Sequence, residues 1–278
     1  MALEIATLNA AGSLSNPANV RPFVDYVVSL DVHAAGFPEA YNVGAEEGVR
    51  EAQNLFHERG FNTAITPNGD KDGRTDQRGL LVVTQIDGFY VNRFASRNGI
   101  VGMLTDEATN IRVAAAHAHL DDRSEYTRHN QAHSIIEWLD QPDDIPGYAA
   151  MDANAMYRDD PRARWYRALK HLGRILPVAE PRIGQNEKDP RVIASKAVRA
   201  SGMAHGGTLK IFEHSGYRNP NTIPYETTAR FLGGRATAQL DHILVSKDIS
   251  CPRYEVTKVP GGKGIQTEHL LIRATLET

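Results

Sequence analysis

The stretch Gly147-Tyr-Ala-Ala-Met-Asp-Ala-Asn154 decides the predicted fold, because it reads as a buried strand that stops abruptly at an acid and an amide. Side chains alternate faces along a strand, so Asp152 and Asn154 project to the same side at its C-terminal end. A carboxylate there can bind a metal or accept a proton, and an amide can hold a nucleophile or a phosphate oxygen without adding charge. Asp-x-Asn also bends backbone well, so the pair taken alone favours a turn.

A second informative stretch runs from Ile111 to Asp121 and contains two histidines. His117 and His119 share one face of a predicted strand whose other residues are mostly small and apolar. A single buried histidine is usually a hydrogen-bonded core residue, but a strand covered on both sides has little use for two imidazoles. The pair therefore fits a core and a functional site about equally well.

Polar side chains also stand where several other predicted strands begin or end. Asn9 follows the first strand, and taken alone it favours a turn. Arg78 stands directly before a strand, where it either caps the sheet edge, which is slightly favoured, or reaches a phosphate. The remaining residues of this kind are Glu39, Asp241, Glu268 and His269. An acid beside an imidazole at the mouth of a buried strand is costly unless both are partnered.

The order of predicted elements indicates an α/β (α+β) chain. Apolar spacing predicts helices over 17–30, 44–59, 125–141 and 208–215. It predicts strands over 3–8, 31–39, 61–66, 79–85, 88–94, 111–119, 147–152, 239–246, 254–259 and 267–276. Strands that are apolar on both faces predict two sheets packed face to face with helices outside. Because no linker or repeat divides the chain, we expect a single domain over residues 1–278.

The segment at about residues 158–204 is predicted to be a helical insert within that domain. It lacks strand character, contains helical patterns over 163–176 and 191–203, and is rich in arginine and lysine. A solvated helix face is the safer interpretation of these charges, and a lid that meets an anionic substrate is the alternative.

The composition is that of an ordinary globular protein. Among 278 residues, 31 Lys and Arg against 34 Asp and Glu give a net charge of −3. This balance permits a nucleic-acid partner without suggesting one, since a non-specific grip on nucleic acid usually needs a basic face. No apolar run is long enough to span a membrane, and the N-terminus lacks the pattern of a secretion signal. The single cysteine, Cys251, excludes an internal disulfide and suits a reducing compartment, so we expect a cytoplasmic protein. We also expect a monomer.

Together, the acids, amides and imidazoles at the strand ends suit metal-assisted attack of water on a phosphodiester. Glu39, with Glu268, offers the hard oxygen ligands that Mg²⁺ or Mn²⁺ prefers. Asp152 would position or deprotonate the attacking water. His119 and His269 would neutralise charge that builds on the phosphoryl oxygens.

In this order the residues resemble the endonuclease/exonuclease/phosphatase superfamily, which includes DNase I-like nucleases, abasic-site endonucleases, sphingomyelinases and inositol-phosphate phosphatases. The similarity covers nearly the whole chain and rests on short motifs that follow the order of the family. They are Thr7-Leu8-Asn9, Phe37-Pro38-Glu39, Arg78-Gly79, His119-Leu120-Asp121, Met151-Asp152-Ala153-Asn154, Pro220-Asn-Thr-Ile-Pro224, Gln239-Leu240-Asp241-His242-Ile243-Leu244 and Thr267-Glu268-His269.

The resemblance implies a four-layer α/β sandwich of two mostly antiparallel sheets flanked by helices. It also implies a metal-dependent phosphodiesterase that acts on nucleic acid, a phospholipid or a small phosphorylated metabolite. Mg²⁺ or Mn²⁺ would be held by Glu39, with Glu268 binding or assisting it. The roles implied for the other residues are phosphate or nucleophile binding by Asn9, Asn154 and Arg78, general base for Asp152, transition-state stabilisation by His119 and His269, and orientation of His269 by Asp241.

Glu268 is the most serious departure from the family pattern, which has aspartate at this position. One added methylene moves a carboxylate by about 1.5 Å, and misplacement on that scale can cost about a hundredfold in rate. Pro38, Met151 and Ala153 also depart from the pattern, but none of them removes a charged group.

Two other functions stay open at this point. His117-Ala-His119-Leu-Asp121 partly matches the His-x-His-x-Asp-His zinc motif of metallo-β-lactamase-like hydrolases, although Asp122 stands where the last histidine is needed. Glu268 also permits a catalytically degenerate protein that serves as a binding scaffold.

Overall fold

The structure is a computed structural model. It describes residues 2–42, 44–66, 78–90, 99–106, 111–121, 124–141, 144–163, 204, 206–223, 225–231, 236–261, 263–265 and 267–278. The helices predicted within the insert, over 163–176 and 191–203, lie outside these ranges apart from residue 163. Residues 91–94 of one predicted strand also lie outside them.

The described strands, in chain order, are β1 (Ala2–Thr7), β2 (Ala34–Asn42), β3 (Asn62–Ile65), β4 (Arg78–Thr84), β5 (Asp87–Tyr90), β6 (Gly99–Asp106), β7 (Ile111–His119), β8 (Gly147–Asp152), β9 (Tyr217–Arg218), β10 (Ala229–Phe231), β11 (Ala236–Ala238), β12 (Asp241–Ser246), β13 (Ser250–Thr257) and β14 (Leu271–Glu277). Sheet 1 has six of them in the order β13-β14-β1-β2-β4-β3, and sheet 2 has six in the order β5-β6-β7-β8-β12-β9. Only β1 with β2 and β7 with β8 pair in parallel among the described strands. β10 and β11 form a separate two-stranded pair.

The described helices are α1 (Pro17–Val28), α2 (Glu46–His57), α3 (Glu125–Leu139) and α4 (Gly207–His214), with a short 3-10 helix at Ser13–Ser15. Local sequence explains where two of them begin. The Asn16 side chain accepts a hydrogen bond from the Ala18 N–H, with Pro17 at the first helical position. The Ser124 side chain accepts in the same way from the Thr127 N–H at 3.1 Å. No helix in the described ranges has the length and apolar character needed to cross a membrane.

Both faces of each sheet are covered by apolar side chains. Between the sheets, Leu3, Ile5 and Leu276 of sheet 1 pack with Val113 and Ile243 of sheet 2. These residues alternate along their strands with residues that point outward, as the period of two in a strand requires.

The outward faces carry the helices. Phe23 of α1 and Phe56 of α2 pack over Phe37 of sheet 1, with the Phe23 and Phe37 rings 5.1 Å apart. Ile135 of α3 and Phe212 of α4 pack over sheet 2. Four layers result, in the order helices, sheet, sheet, helices, and the predicted sandwich is confirmed.

Four strands, β6, β9, β10 and β11, were not predicted, and the end of β2 differs from its prediction. β6 was not predicted, because its glycines, Gly99 and Gly102, weaken a strand pattern. β2 was expected to end at Glu39, but it continues to Asn42 after an irregularity between Phe37 and Tyr41. Glu39 therefore lies in a bulge within a strand, and bulges often re-aim a side chain.

Candidate active site

Three polar side chains lie in a row at one end of sheet 2. β7 and β8 are parallel, and their register places His119 beside Asp152. β12 is antiparallel to β8, and its first residue, Asp241, pairs with Asp152 on the other side. Asp152 and Asp241 are only 1% and 0% exposed. Two carboxylates buried side by side are costly, so their partners are informative.

Sheet 1 supplies further polar residues to the same place. Asn9 follows β1, Glu39 lies in β2 and His269 precedes β14. Asn9 Nδ2 lies 2.8 Å from Asp152 Oδ2, Glu39 Oε1 lies 3.5 Å from His119 Nε2, and His269 Nδ1 lies 4.0 Å from Asp152 Oδ2. The site therefore forms where the ends of the two sheets meet.

Hydrogen bonds hold both oxygens of Asp152. The Asn9 amide donates to Oδ2, and the backbone N–H of Asn154 donates to Oδ1 at 3.1 Å. Burial and the neighbouring Asp241 carboxylate raise the pKa of Asp152, while the nearby histidines and the Asn9 hydrogen bond act in the opposite direction. The carboxyl group is thus fixed in orientation, and its affinity for a proton is increased.

Asn154 links the end of β8 to the end of β7. Its side-chain nitrogen donates to the Leu120 carbonyl at 2.9 Å and lies 3.0 Å from His119 Nε2. An amide N–H can only donate, so this contact fits the tautomer of His119 in which Nε2 is an acceptor. Asn154 has a φ of 45°, a left-handed conformation that asparagine tolerates better than most residues.

Asp241 and His269 form a hydrogen-bonded pair across the two sheets, with Oδ2 and Nδ1 separated by 2.8 Å. Burial alone would lower the pKa of His269. The charge of Asp241 and its hydrogen bond, with further contributions from Asp152 and Glu39, instead raise the pKa of His269 to about 10. His269 is therefore a cation at neutral pH, beside the carboxyl of Asp152.

Backbone contacts fix the bulge at Glu39. Its carbonyl accepts from the Gly12 N–H at 2.6 Å, and the Pro38 carbonyl accepts from the Ala10 N–H at 2.8 Å. Glu39 has a φ of 54°, which is uncommon for a residue with a long side chain. Strain of this kind costs about 1–3 kcal/mol and concentrates at functional sites.

The donor set fits a divalent cation. The side chain of Glu39 is 17% exposed, so water could complete the shell of a hard cation, as Mg²⁺ prefers. Among the described residues, Oδ1 of Asp241 is buried without a hydrogen-bond partner, which leaves negative charge for a cation to meet. Ligand atoms of Asp152, Asp241 and His269 lie within 4.8 Å of one another. Nδ1 of His269 is already hydrogen-bonded to Asp241, however, so we assign His269 to this pair.

Two residues of the predicted site, Glu268 and Arg78, are described through their backbone contacts. Glu268 is exposed, and its backbone carbonyl accepts from the Arg230 N–H at 2.7 Å. Arg78 was expected directly before a strand, but it is the first residue of β4 and pairs with Asn42. Its side chain lies outside the described part of the structure. The roles of Glu268 and Arg78 therefore stay predictions.

His117 lies in the core between the sheets. It is 0% exposed, its Nε2 is 3.1 Å from the Tyr148 hydroxyl, and burial lowers its pKa to about 3. Asp121, the acid of the predicted zinc motif, accepts from the Ser124 N–H at 2.7 Å through Oδ1. Both residues serve the packing of β7 and its following loop, so the zinc alternative is not favoured.

Two polar residues without a predicted role, Arg128 and Gln131, hold the loop after His119. Gln131 Oε1 accepts from the Asp121 N–H, and Arg128 Nη1 donates to the Asp121 carbonyl, each at 2.8 Å. Arg128 is fully buried and paired with Glu125. Both residues lie on the otherwise apolar face of a predicted helix, and charged or amide side chains there could have indicated a structural role.

A cavity of about 740 Å³ lies near the end of β8 and the start of β12. Three cationic side chains contribute to it, together with two acids and several neutral polar groups. The lining residues are Tyr157, Arg158, Asp159, Gly206, Lys210, Glu213, Arg218, Asn219, Asn221, Ile223, Tyr225 and Gln239. Tyr157 also contacts His242, the neighbour of Asp241, with ring centroids 5.6 Å apart.

Comparison with solved structures identifies the fold. An endonuclease/exonuclease/phosphatase family protein from Bacteroides thetaiotaomicron superposes with a TM-score of 0.61 at 12% identity, over 99% of this chain and 95% of the other. A mannosyl-6-phosphatase from Bacteroides thetaiotaomicron superposes with a TM-score of 0.59 at 11% identity, over 99% and 100%. The catalytic domain of human Nocturnin superposes with a TM-score of 0.56 at 13% identity, over 99% of this chain and 94% of the other. No protein-family model matches the sequence, and no curated protein matches it.

Proposed function

Since the chain has the DNase I-like fold of the endonuclease/exonuclease/phosphatase proteins, we propose that it is a metal-dependent phosphoesterase that hydrolyses a phosphodiester. One observation carries this proposal. Asp152 is held by Asn9 and Asn154 beside a cationic imidazole, where the ends of the two sheets meet.

Asp152 is proposed as the general base that accepts a proton from the attacking water. Its raised pKa brings its basicity closer to that needed near neutral pH, and its fixed orientation favours one direction of proton transfer. Asn9 and Asn154 hold this carboxyl, and Asn154 also positions His119.

His269 and His119 are proposed to stabilise the charge that develops on the phosphoryl oxygens. His269 is already cationic, so this stabilisation requires no proton transfer at the moment of reaction. Asp241 holds the His269 ring at 2.8 Å and maintains its charge. Asn9 and Asn154 are additional candidates for phosphate contacts, as is Arg78.

Mg²⁺ or Mn²⁺ is the proposed cofactor, and Glu39 is the residue proposed to hold it, with assistance from Glu268. When bound, such an ion polarises the phosphoryl oxygens and steadies the leaving group. Glu39 itself is fixed by its bulge, which supports a role that needs a well-placed carboxylate.

The fold neighbours are consistent with a phosphoester substrate. One is a mannosyl-6-phosphatase. Another, ANGEL2, is a 2′,3′-cyclic phosphatase, and it superposes with a TM-score of 0.61 at 12% identity. These activities belong to those proteins, and they favour a hydrolase here over a binding scaffold.

The central test is hydrolysis of a bis-aryl phosphate with added Mg²⁺ or Mn²⁺. We expect metal-dependent turnover by the native protein and a loss of about 10²–10⁴-fold in kcat for Asp152→Asn, the size expected for removal of a general base. Asp248→Asn, at an exposed turn, is the matched control and should keep the native rate. Equal rates for the native protein and Asp152→Asn would refute the proposed base. Tightly bound zinc would instead revive the His117 and His119 alternative.

We further propose that the 740 Å³ cavity receives the part of the substrate beyond the scissile phosphate. Arg158 lines it, at the start of the basic insert, four residues after Asn154. Arg164 and Arg167, two further arginines of the basic insert, lie outside the described residues. Arg158→Gln should raise KM more than it lowers kcat, because a remote contact of this kind binds substrate and transition state alike. A panel of DNA, RNA, phospholipid and sugar phosphates would identify the substrate, and unchanged kinetics for Arg158→Gln would remove this residue from the site.

A further inference from the structure

Thr228 is a buried residue that the catalytic proposal does not use. It directly precedes β10 and is 0% exposed. Its hydroxyl oxygen accepts two hydrogen bonds, from the backbone N–H of Leu240 and of Asp241, both at 2.9 Å. A hydroxyl oxygen has two lone pairs, so one side chain satisfies both donors.

The backbone of Thr228 contacts the other half of the ion pair. Its carbonyl accepts from the Leu270 N–H at 2.6 Å, and the next residue, Ala229, forms an isolated β-bridge with His269. Thr228 thus joins the first residue of β12 to the residues that lead into β14. These two strands belong to different sheets.

We propose that Thr228 is a positioning residue that sets the separation and alignment of Asp241 and His269. This inference rests on the proposed function, because it assigns the Thr228 hydroxyl a part in hydrolysis through Asp241. The Asp241–His269 hydrogen bond spans two sheets, so the pairing within either sheet cannot by itself fix its length. Thr228 is the described residue that hydrogen-bonds to the backbone on both sides of the pair.

The chemical requirement is an acceptor of small size. Valine has nearly the shape of threonine but no oxygen, so Thr228→Val leaves two buried N–H groups without a partner. The start of β12 must then shift to recover hydrogen bonds, and Asp241 shifts with it. Misplacement of about 1 Å can cost about a hundredfold in rate. Serine keeps the acceptor and should restore the arrangement.

The kinetic test compares Thr228→Val with Thr228→Ser on the bis-aryl phosphate. We expect Thr228→Val to lower kcat by about 10- to 100-fold with little change in KM, and Thr228→Ser to stay within about threefold of the native protein. Thr228→Ala, which also lacks the acceptor, replaces the valine variant if that variant does not fold. The control is Thr84→Val, because Thr84 is also buried and accepts from the Ile86 N–H at 2.9 Å. Thr84 lies in β4 and pairs with Ala34, at the end of β2 that is farther from Glu39. It should keep the native kcat.

A double mutant separates positioning from general destabilisation. If Thr228 acts through Asp241, Thr228→Val should have little further effect on kcat in an Asp241→Asn background. A full additional loss in that background, or native kcat for Thr228→Val alone, would overturn the inference.

A second readout does not depend on hydrolysis. The His269 ring N–H that bonds Asp241 should give a downfield proton NMR signal, assigned by its absence in His269→Gln. Thr228→Val should shift or remove this signal, and Thr228→Ser and Thr84→Val should keep it. A native protein without activity but with these signals would refute the proposed function and leave the positioning of the pair supported. An unchanged signal in a folded Thr228→Val variant would refute the positioning itself.

Discussion

Glu39 and Asn154 adopt backbone conformations that side-chain patterns do not encode. Both have positive φ, 54° and 45°, and both lie at the proposed site. Asparagine after a strand favours a turn, so the residue type of Asn154 gave a warning of its conformation. Glu39 gave none, because the bulge depends on hydrogen bonds to the loop at Ala10 and Gly12. A tertiary contact of this kind could not be predicted from the local sequence.

At the same scale, the buried histidines predict a loss of stability in acid. Burial lowers the pKa of His117 to about 3, and burial lowers that of His242 to about 4 despite its hydrogen bond to the Ala155 carbonyl. The unfolded chain takes up protons near the ordinary histidine pKa of about 6.5, and the folded protein does not. This stability is therefore fully present above about pH 6.5 and is lost progressively as the pH falls toward 4 and then 3. His269 has a raised pKa, so its contribution to the free energy of unfolding does not change with pH below about pH 6.5.

The measurement is the free energy of unfolding by urea at about pH 7 and about pH 5. Between these two pH values, His117 and His242 together should lower this free energy by on the order of 3–4 kcal/mol. In His117→Gln, the part of this decrease that the two histidines cause should be smaller by about half. His133→Gln, at an exposed position on α3, is the control and should lose as much as the native protein. A loss in His117→Gln equal to that of the native protein would contradict this assignment.

At the scale of elements, the sequence predicted most helices and strands and missed the features that depend on how they pack. Repeating apolar residues were sufficient for α1, α2, α3 and β8, whose predicted ranges overlap the observed ones closely. β6 was missed because its glycines resemble a loop. These positions carry no side chain to mark a pattern, and it is their pairing with β5 and β7 that shows they form a strand.

One glycine permits the close approach of the two sheets. A Cβ added to Gly36 in β2 would lie 2.2 Å from Nδ1 of His117 in β7. Gly36→Ala should therefore lower the free energy of unfolding by about 1–3 kcal/mol, the usual cost of overpacking. In a His117→Ala background the same substitution should cost much less, because the obstructing ring is gone. The free energy of urea unfolding is measured for the native protein, Gly36→Ala, His117→Ala and the double variant. Gly261→Ala is the neutral control, because Gly261 has open space around it. An equal cost in both backgrounds would mean that the two residues do not meet.

At the scale of the whole molecule, the order of the strands assembles the candidate site. β1 and β14, from opposite ends of the chain, are neighbours in sheet 1, and β8 lies between β7 and β12 in sheet 2. Asn9 and His269 thereby approach Asp152 although they are distant in sequence. The residues could be named from the sequence because polar groups at strand ends stand out. Their convergence could not, since local patterns do not specify which strands pair. The single domain with an insert at 158–204 stays a prediction.

This architecture also predicts that stability and activity can be changed separately. Leu276 is fully buried between the sheets and pairs with Leu3. Seven residues along the chain separate it from His269, a distance of roughly 20 Å in extended chain. Leu276→Ala should lower the free energy of unfolding by about 2–5 kcal/mol through the cavity it creates. The kcat of the folded variant should be unchanged, because the ends of the strands at the site keep their hydrogen bonds. Activity and circular dichroism followed through the same urea titration should lose signal at one shared midpoint, lower than that of the native protein. A variant that lost activity well before its sheets unfolded would show instead that the site depends on the far end of the core.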